Sequence, residues 1–167
     1  MRATARFGAA AIAVAISAAV QAQGAPRMIP PPSIADMRKV LTSLGYTVQN
    51  DAAAGEKEPL LVEIGGQPTN VTVAGCNDRG AQCRYAMLLT TFTDVRNPPG
   101  AWLGQANYRW DFTQVSLDRE GHVLIALAIP FGTEGLPLTS LRWMLEMWPA
   151  NVGGIAQLAR DGGVVGK

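Results

Sequence analysis

The residues whose types could do chemistry are the histidine His122 and the carboxylates Asp118 and Glu120, which share one turn just before it. His122 is the single histidine of the chain, so a Ser–His–Asp triad would have to use it, and a metal site built from several imidazoles is excluded. Asp118 and Glu120 could form an acid–base pair, with Asp111 as a further carboxylate nearby. The Asp-x-Glu-Gly order is nevertheless typical of a hairpin turn, and it lacks the 12-residue loop of an EF-hand. The turn is the favoured interpretation, and an acidic catalytic site is the alternative.

No other sequence pattern indicates catalysis or cofactor binding. The chain contains no Gly-x-Ser-x-Gly elbow, no P-loop and no Gly-x-Gly-x-x-Gly fingerprint. The glycine pairs at 153–154 and 162–163 lie near the C-terminus, with no predicted strand before them. We therefore expect no catalytic residue, no metal site and no cofactor, and we expect that the protein is not an enzyme.

The two cysteines, Cys76 and Cys83, flank a turn-rich stretch between two apolar runs. A disulfide between them would close an 8-residue loop at the base of a hairpin and contribute roughly 2–3 kcal/mol on the chain-entropy model. The alternatives are a metal site or a redox pair. Six intervening residues match no common zinc spacing, and the pair is not a Cys-x-x-Cys motif. The sequence favours a structural disulfide.

Two apolar residues of the last long helix fall outside its predicted core stripe. On a helical wheel of residues 138–148, Trp143 and Met147 lie apart from the face that contains Leu141, Leu145 and Trp148. Exposed Trp and Met are typical of partner-binding surfaces. The favoured interpretation is that residues 151–160 or the N-terminal helix cover both side chains. The alternative hypothesis is a partner interface, or a dimer surface, at Trp143 and Met147.

The N-terminus has the order of a secretory signal peptide. Arg2 and Arg6 form a basic start, residues 7–20 are uncharged and almost entirely apolar, and Ala22 ends a small-residue cleavage pattern. The apolar stretch is too short for a membrane-spanning helix, which needs about 20 residues. We expect residues 1–22 to be a Sec-type signal peptide cleaved after Ala22. The mature bacterial protein would then be periplasmic or secreted, without stable membrane insertion.

Signal cleavage changes the charge balance only slightly. The full chain has 14 Lys and Arg against 13 Asp and Glu, a net charge of +1. Removing 22 residues takes away two arginines and no acid, which leaves 145 residues with a net charge of −1. This balance gives no electrostatic reason to expect nucleic acid or acidic lipid as a partner. The mature length suits one domain.

The mature chain begins with a predicted Pro-rich linker over residues 23–32, followed by a domain over residues 33–160 and a flexible tail over residues 161–167. Apolar residues at helical spacing after Ser33 predict a first helix over residues 33–45. Further helices are predicted at the following ranges: 101–111, 138–148 and 151–160. Pro149 is expected to end or bend the helix over residues 138–148.

Six stretches read as strands, and most are joined by short turns. They are 46–48, 60–64, 71–74, 84–92, 112–117 and 122–129. Short connections imply antiparallel pairing, and helices grouped at the ends and at one interruption imply α+β layering. The predicted fold is α+β, a single antiparallel sheet of about five to six strands flanked by helices.

Several of these features together resemble a known bacterial family. They are the helix end at Gly45-Tyr46, a strand with Ile64, a strand entering Gly75-Cys76, Cys83 opening the next, the helical Asn107, the turn Leu117-Asp118-Arg119-Glu120-Gly121, and a last helix with Trp143 and Trp148. Over residues 33–150 the chain resembles the YbjN-domain family of bacterial sensory transduction regulators. An aromatic residue often precedes the helical Asn in that family, whereas this chain has Ala106. The resemblance implies a fold similar to type III secretion chaperones, frequent dimerisation and no established catalytic residue.

Together these features predict an exported, non-enzymatic binding module. It would act as a regulator or chaperone-like protein, with another polypeptide or a second copy of itself as partner. The alternatives are a small periplasmic hydrolase that uses carboxylates, or a structural envelope protein. A cleft with inward-facing acids would favour the hydrolase, and a flat apolar sheet or helix face would favour a partner.

Overall fold

The computed structural model describes residues 26–50 and 58–165, so the predicted signal peptide and its cleavage point lie outside the described residues. The elements within these ranges follow one another in this order: β1 (Met28–Ile29), α1 (Ile34–Ser43), β2 (Leu60–Ile64), β3 (Gln67–Ala74), β4 (Tyr85–Arg96), α2 (Gly100–Arg109), β5 (Thr113–Leu117), β6 (His122–Pro130), β7 (Leu136–Pro137) and α3 (Leu138–Asp161).

Helix α1 begins where its sequence predicts. The Ser33 hydroxyl accepts the Asp36 N–H, and the Asp36 carboxylate accepts the Ser33 N–H, which forms a reciprocal capping box. The helix ends before Gly45, whose φ of +92° is unfavourable for residues with a side chain. Its apolar stripe is buried at Ile34, Met37 and Leu41.

The predicted α+β fold is confirmed. Across the described residues, five strands form one antiparallel sheet in the order β2-β3-β4-β6-β5, and β1 pairs with β7 in a small second sheet. The candidate strand at 46–48 contributes only an isolated pairing of Val48 with Val62. The turn between β2 and β3 is shorter than the sequence predicts. Gly65 and Gly66 alone form it, with φ values of +58° and +77°, and a two-residue type I′ turn requires positive φ at both positions.

The two faces of the sheet have different environments. Directly paired residues share a face, and one such row is buried across all five strands: Leu60, Val71, Leu88, Leu127 and Thr113. The helices pack on this face, since their buried residues join the same core cluster. The next row along the strands contains no buried residue: Leu61, Asn70, Leu89, Ala126 and Gln114.

Helix α3 runs through Pro149 as one element, so the prediction of two separate helices is wrong. A proline removes one helical hydrogen bond, but Leu145, Trp148 and Val152 on both sides of it are fully buried, and their burial favours a continuous helix. The buried Trp148 indole N–H donates to Thr69 Oγ1 at 2.9 Å, which fixes α3 to β3. Among the described residues, no helix is both long and apolar enough to cross a membrane.

Both segments that the sequence places outside the domain contribute to it. Ile29 of the predicted linker is buried in β1, and the Cys83 N–H donates to the Pro32 carbonyl. At the other end, Val164 is buried and Val165 pairs with Val95. Residues 26–32 of the predicted Pro-rich linker and residues 161–165 of the predicted tail therefore contact the domain, because each segment finds apolar or backbone partners in the folded chain.

Candidate functional site

The turn that carries the candidate acid–base residues joins β5 to β6. Asp118 Oδ1 accepts the backbone N–H groups of Glu120 and His122, each at 2.9 Å. The His122 ring nitrogen Nδ1 lies 3.2 Å from Asp118 Oδ2 and 3.5 Å from Glu120 Oε2. His122 is partly buried, with 20% of its side chain exposed, although its position beside a turn predicts a surface residue.

The electrostatics of this turn argue against Asp118 as a general acid. Desolvation alone would raise the pKa of Asp118, but the N–H groups of His122 and Glu120 and the His122 ring hold that pKa below its ordinary value. A general acid needs the opposite shift. Asp118, Glu120 and His122 offer ligand atoms that lie within 4.8 Å of one another. Among the described residues, this is the group that could bind a metal ion. Asp111 does not belong to this cluster.

The structure joins Cys76 and Cys83 in a disulfide at the base of the hairpin between β3 and β4. Cys83 is fully buried, whereas the residues of the loop itself are mostly exposed. The Asn77 side-chain oxygen accepts the N–H groups of Arg79 and Ala81, at 3.0 and 3.1 Å, which shapes the loop. Gln82 has a φ of +53°, in the left-handed region.

Asn107 has a structural role that its sequence context does not reveal. Its side-chain amide donates to the Val115 carbonyl and accepts the Val115 N–H, both at 2.8 Å. Val115 lies in β5, an edge strand of the sheet, so the side chain replaces a missing neighbouring strand at this point. Pairing of this kind blocks the addition of another strand there.

The structure separates the two predicted interface residues. Met147 is partly buried and packs against the core, whereas Trp143 is 50% exposed. The Trp143 ring contacts the Phe112 ring edge-to-face, with centroids 6.0 Å apart. One neighbour of Trp143 is thus Phe112, in the segment before β5.

Phe112 is an exposed aromatic residue beside Trp143 that the sequence analysis missed. It is 68% exposed and has a φ of +61°, which bulky residues rarely adopt. Strained backbone of this kind frequently marks functional positions. No sequence signal could have found it, because nothing in the sequence around Phe112 indicates a positive φ.

The face of the sheet opposite the core is here called the open face. It consists of Leu61, Glu63, Pro68, Asn70, Thr72, Ala74, Tyr85, Met87, Leu89, Thr91, Gln114, Ser116, Leu124, Ala126, Ala128 and Pro130. None of these residues is buried, and Glu63 on the edge strand β2 is the one charged residue among them. Antiparallel sheets that face water usually alternate apolar and polar residues. This face instead has partly exposed Leu61, Met87, Leu89 and Leu124.

The open face continues towards the exposed aromatic pair. A pocket of about 350 Å³ lies beside the start of β5, and residues of both regions line it. Met87, Ala126 and Ala128 contribute from the open face, and Trp110 and Phe112 contribute from the preceding segment. Asn107, Asp111, Thr113 and Gln114 add polar groups to the lining. A mixed polar and apolar surface therefore extends from the middle of the sheet to Phe112, whose ring contacts Trp143.

Comparison with known proteins agrees with this fold. The family model for YbjN, described as "Putative bacterial sensory transduction regulator", matches residues 33–154. The crystal structure of YbjN from E. coli, described as a putative transcription regulator, is similar with a TM-score of 0.63 and 12% sequence identity, over 83% of this chain and 98% of that one. No curated protein matches the chain. The resemblance seen in the sequence is confirmed: the chain belongs to the YbjN family.

Proposed function

We propose that the protein is an exported, non-enzymatic binding module that holds another polypeptide on its open face. The observation that carries this proposal is the open face itself, which no described helix covers and which has one charged residue. With strands about 4.8 Å apart and about 3.4 Å per residue, the face measures roughly 20 Å by 20 Å. Polar residues interrupt its apolar ones at Glu63, Asn70, Thr72, Thr91, Gln114 and Ser116. Exposed apolar patches within such a face are often functional.

The chemistry of the face defines the partner class. Covering Leu61, Met87, Leu89 and Leu124 removes partly exposed apolar surface from water, worth about 25 cal/mol per Å². A highly charged partner surface would lose hydration there without finding a counter-charge. The expected partner is therefore a polypeptide with an uncharged, mainly apolar surface. Phe112 and Trp143 extend the contact at one side.

The regulator description of the family is consistent with a function in binding. The hydrolase alternative would need a free acid–base pair, whereas Asp118 has two backbone N–H partners in its turn. Asp118→Asn should accordingly leave partner binding unchanged. Loss of binding in that variant would support the acidic site instead.

The central test places a photo-crosslinking residue at position 87 on the open face and, as a control, at exposed position 139 of α3. We expect position 87 to crosslink a different polypeptide in the exported fraction. Binding must then be reproduced with the two purified proteins. Crosslinks solely between copies of this chain would contradict the proposal and identify a homodimer.

Matched variants test the same surface quantitatively. Met87→Lys adds a charge to the open face, and Thr139→Lys adds the same charge to an exposed position of α3. We expect Met87→Lys to weaken binding by about tenfold or more, since a desolvated charge costs at least about 1.4 kcal/mol, and Thr139→Lys to have little effect. Equal affinities for the two variants would show that the partner binds elsewhere.

Trp143→Ser tests the aromatic extension. Because the side chain is half exposed, the variant should fold, and binding should weaken. Unfolding of this variant before any loss of binding would instead assign Trp143 to the core.

A further inference from the structure

A second concave site, separate from the open face and independent of the proposed function, lies beside the disulfide loop. It is a groove of about 720 Å³, within the usual size range of small-molecule sites. Pro30, Pro31 and Phe131 give it apolar walls, and Gln82 and Thr133 add uncharged polar groups. Arg84 is the one charged residue among those that line it in the described chain.

Contacts from three segments fix the walls of the groove. The Cys83 N–H donates to the Pro32 carbonyl at 3.1 Å, and the Phe131 N–H donates to the Arg84 carbonyl at 2.8 Å. The Cys76–Cys83 disulfide constrains the loop that carries Gln82. A site whose walls are already held in place loses little conformational entropy on binding.

The position of Arg84 is also supported. Gly75 has a φ of +67°, and a Cβ built there would lie 3.2 Å from Arg84 Cβ and 3.6 Å from its Cδ. The aliphatic part of Arg84 therefore lies over the space that the missing side chain leaves. Neither Asp78 of the same loop nor Glu134 lines the groove, so no acidic group of the lining competes for the guanidinium.

We infer that this groove binds a small carboxylic acid with an apolar body, such as an arylalkanoate or a medium-chain alkanoate. A guanidinium pairs with a carboxylate through two parallel hydrogen bonds, and the apolar walls cover the rest of the ligand. The single positive charge of Arg84 matches the single negative charge of a monocarboxylate. A phosphate dianion would have an uncompensated charge among prolines and Phe131.

The test is to titrate the mature chain with 4-phenylbutyrate and to monitor the backbone amide chemical shifts by NMR during the titration. The neutral analogue 4-phenylbutyramide has the same shape without the charge. We expect the carboxylate to shift the signals of Gln82 and Phe131 and to bind about tenfold to a hundredfold more tightly than the amide, as a charge-assisted hydrogen bond predicts. Equal affinities, shifts centred on Met87 and Leu89, or no shift at all would overturn the inference.

Variants give an independent measurement. Arg84→Met keeps an aliphatic side chain over Gly75 and removes the charge. As a control, Arg79→Met removes a charge from the loop between Cys76 and Cys83, at a position that does not line the groove. We expect Arg84→Met to abolish the preference for the carboxylate and Arg79→Met to retain it. An unchanged preference in Arg84→Met would overturn the inference. If that variant does not fold, the amide comparison on the natural chain decides.

Clearly tighter binding of a peptide ending in a free Phe carboxylate would assign the groove to chain termini and overturn the small-molecule inference.

Discussion

Asn107 and Asp118 are polar residues whose side chains complete backbone hydrogen bonding. Asn107 pairs with both backbone groups of Val115 at the edge of the sheet, and Asp118 accepts two N–H groups within its turn. A polar residue in a helix, or a carboxylate beside a histidine, resembles a functional group when only the sequence is known. In the folded chain these side chains satisfy backbone groups that would otherwise lack partners.

Removal of the Asn107 amide should destabilise the fold. Asn107→Ala leaves the Val115 N–H and carbonyl without their partners, and we expect the free energy of unfolding to fall by about 1–3 kcal/mol. Urea denaturation measures the change. The control is Gln105→Ala, at an exposed position of the same helix. Equal stability of the two variants would show that the edge pairing contributes nothing.

The Asp118 turn should make stability depend on acid pH. The pKa of Asp118 lies below its ordinary value of 3.8, so its contribution is complete above that value and is lost as the pH falls through the folded-state pKa. We expect Asp118→Asn to be less stable than the natural chain at neutral pH, and the difference to shrink below about pH 4. Urea midpoints at a series of pH values test this. A difference that stays constant with pH would contradict it.

At the scale of elements, long-range contacts override local signals. Pro149 predicts that the helix ends or bends there, and α3 continues as one element because the stripe on both sides of the proline is buried in the core. Met28 and Ile29 show no strand pattern, yet they form β1 because β7 offers backbone partners. By contrast, α1 has its boundaries encoded locally by Ser33, Asp36 and Gly45, and its sequence predicts it well.

The hairpin between β3 and β4 should depend on its disulfide. Reduction of Cys76–Cys83 releases the constraint on an 8-residue loop, and we expect a loss of roughly 2–3 kcal/mol in unfolding free energy. Urea denaturation with and without a reductant measures it. Thiol labelling of the non-reduced mature chain should find no free thiol, and quantitative labelling of both cysteines would contradict the disulfide.

At the scale of the whole molecule, the described helices are concentrated on one side of the sheet. This arrangement buries one face of each strand and leaves the open face without a cover. A partner polypeptide on that face would complete a second layer. The folding of residues 26–32 and 161–165 onto the domain also makes the compact unit larger than the family match over residues 33–154.

Export is the prediction that concerns the entire chain. We expect the mature protein in the exported fraction to begin at Gln23, as measured by its intact mass. Ala22→Arg should block cleavage, because signal peptidases require a small residue there, whereas Ala25→Arg should not. Full-length protein retained in the cytoplasm of cells with the natural sequence would contradict the signal peptide.

The sequence by itself determined the α+β class, the helix α1 with its caps, most of the strands, the candidate cysteine pair and the family. These features depend on local periodicity, turn residues and short motifs, all of which can be recognised from residues close together in the sequence. Only the tertiary structure decided that Asn107 closes an edge strand, that Phe112 contacts Trp143, and that one sheet face is left open. Each of these depends on residues far apart in sequence or on which face the helices cover, and the alternation of a strand does not specify which of its faces is buried.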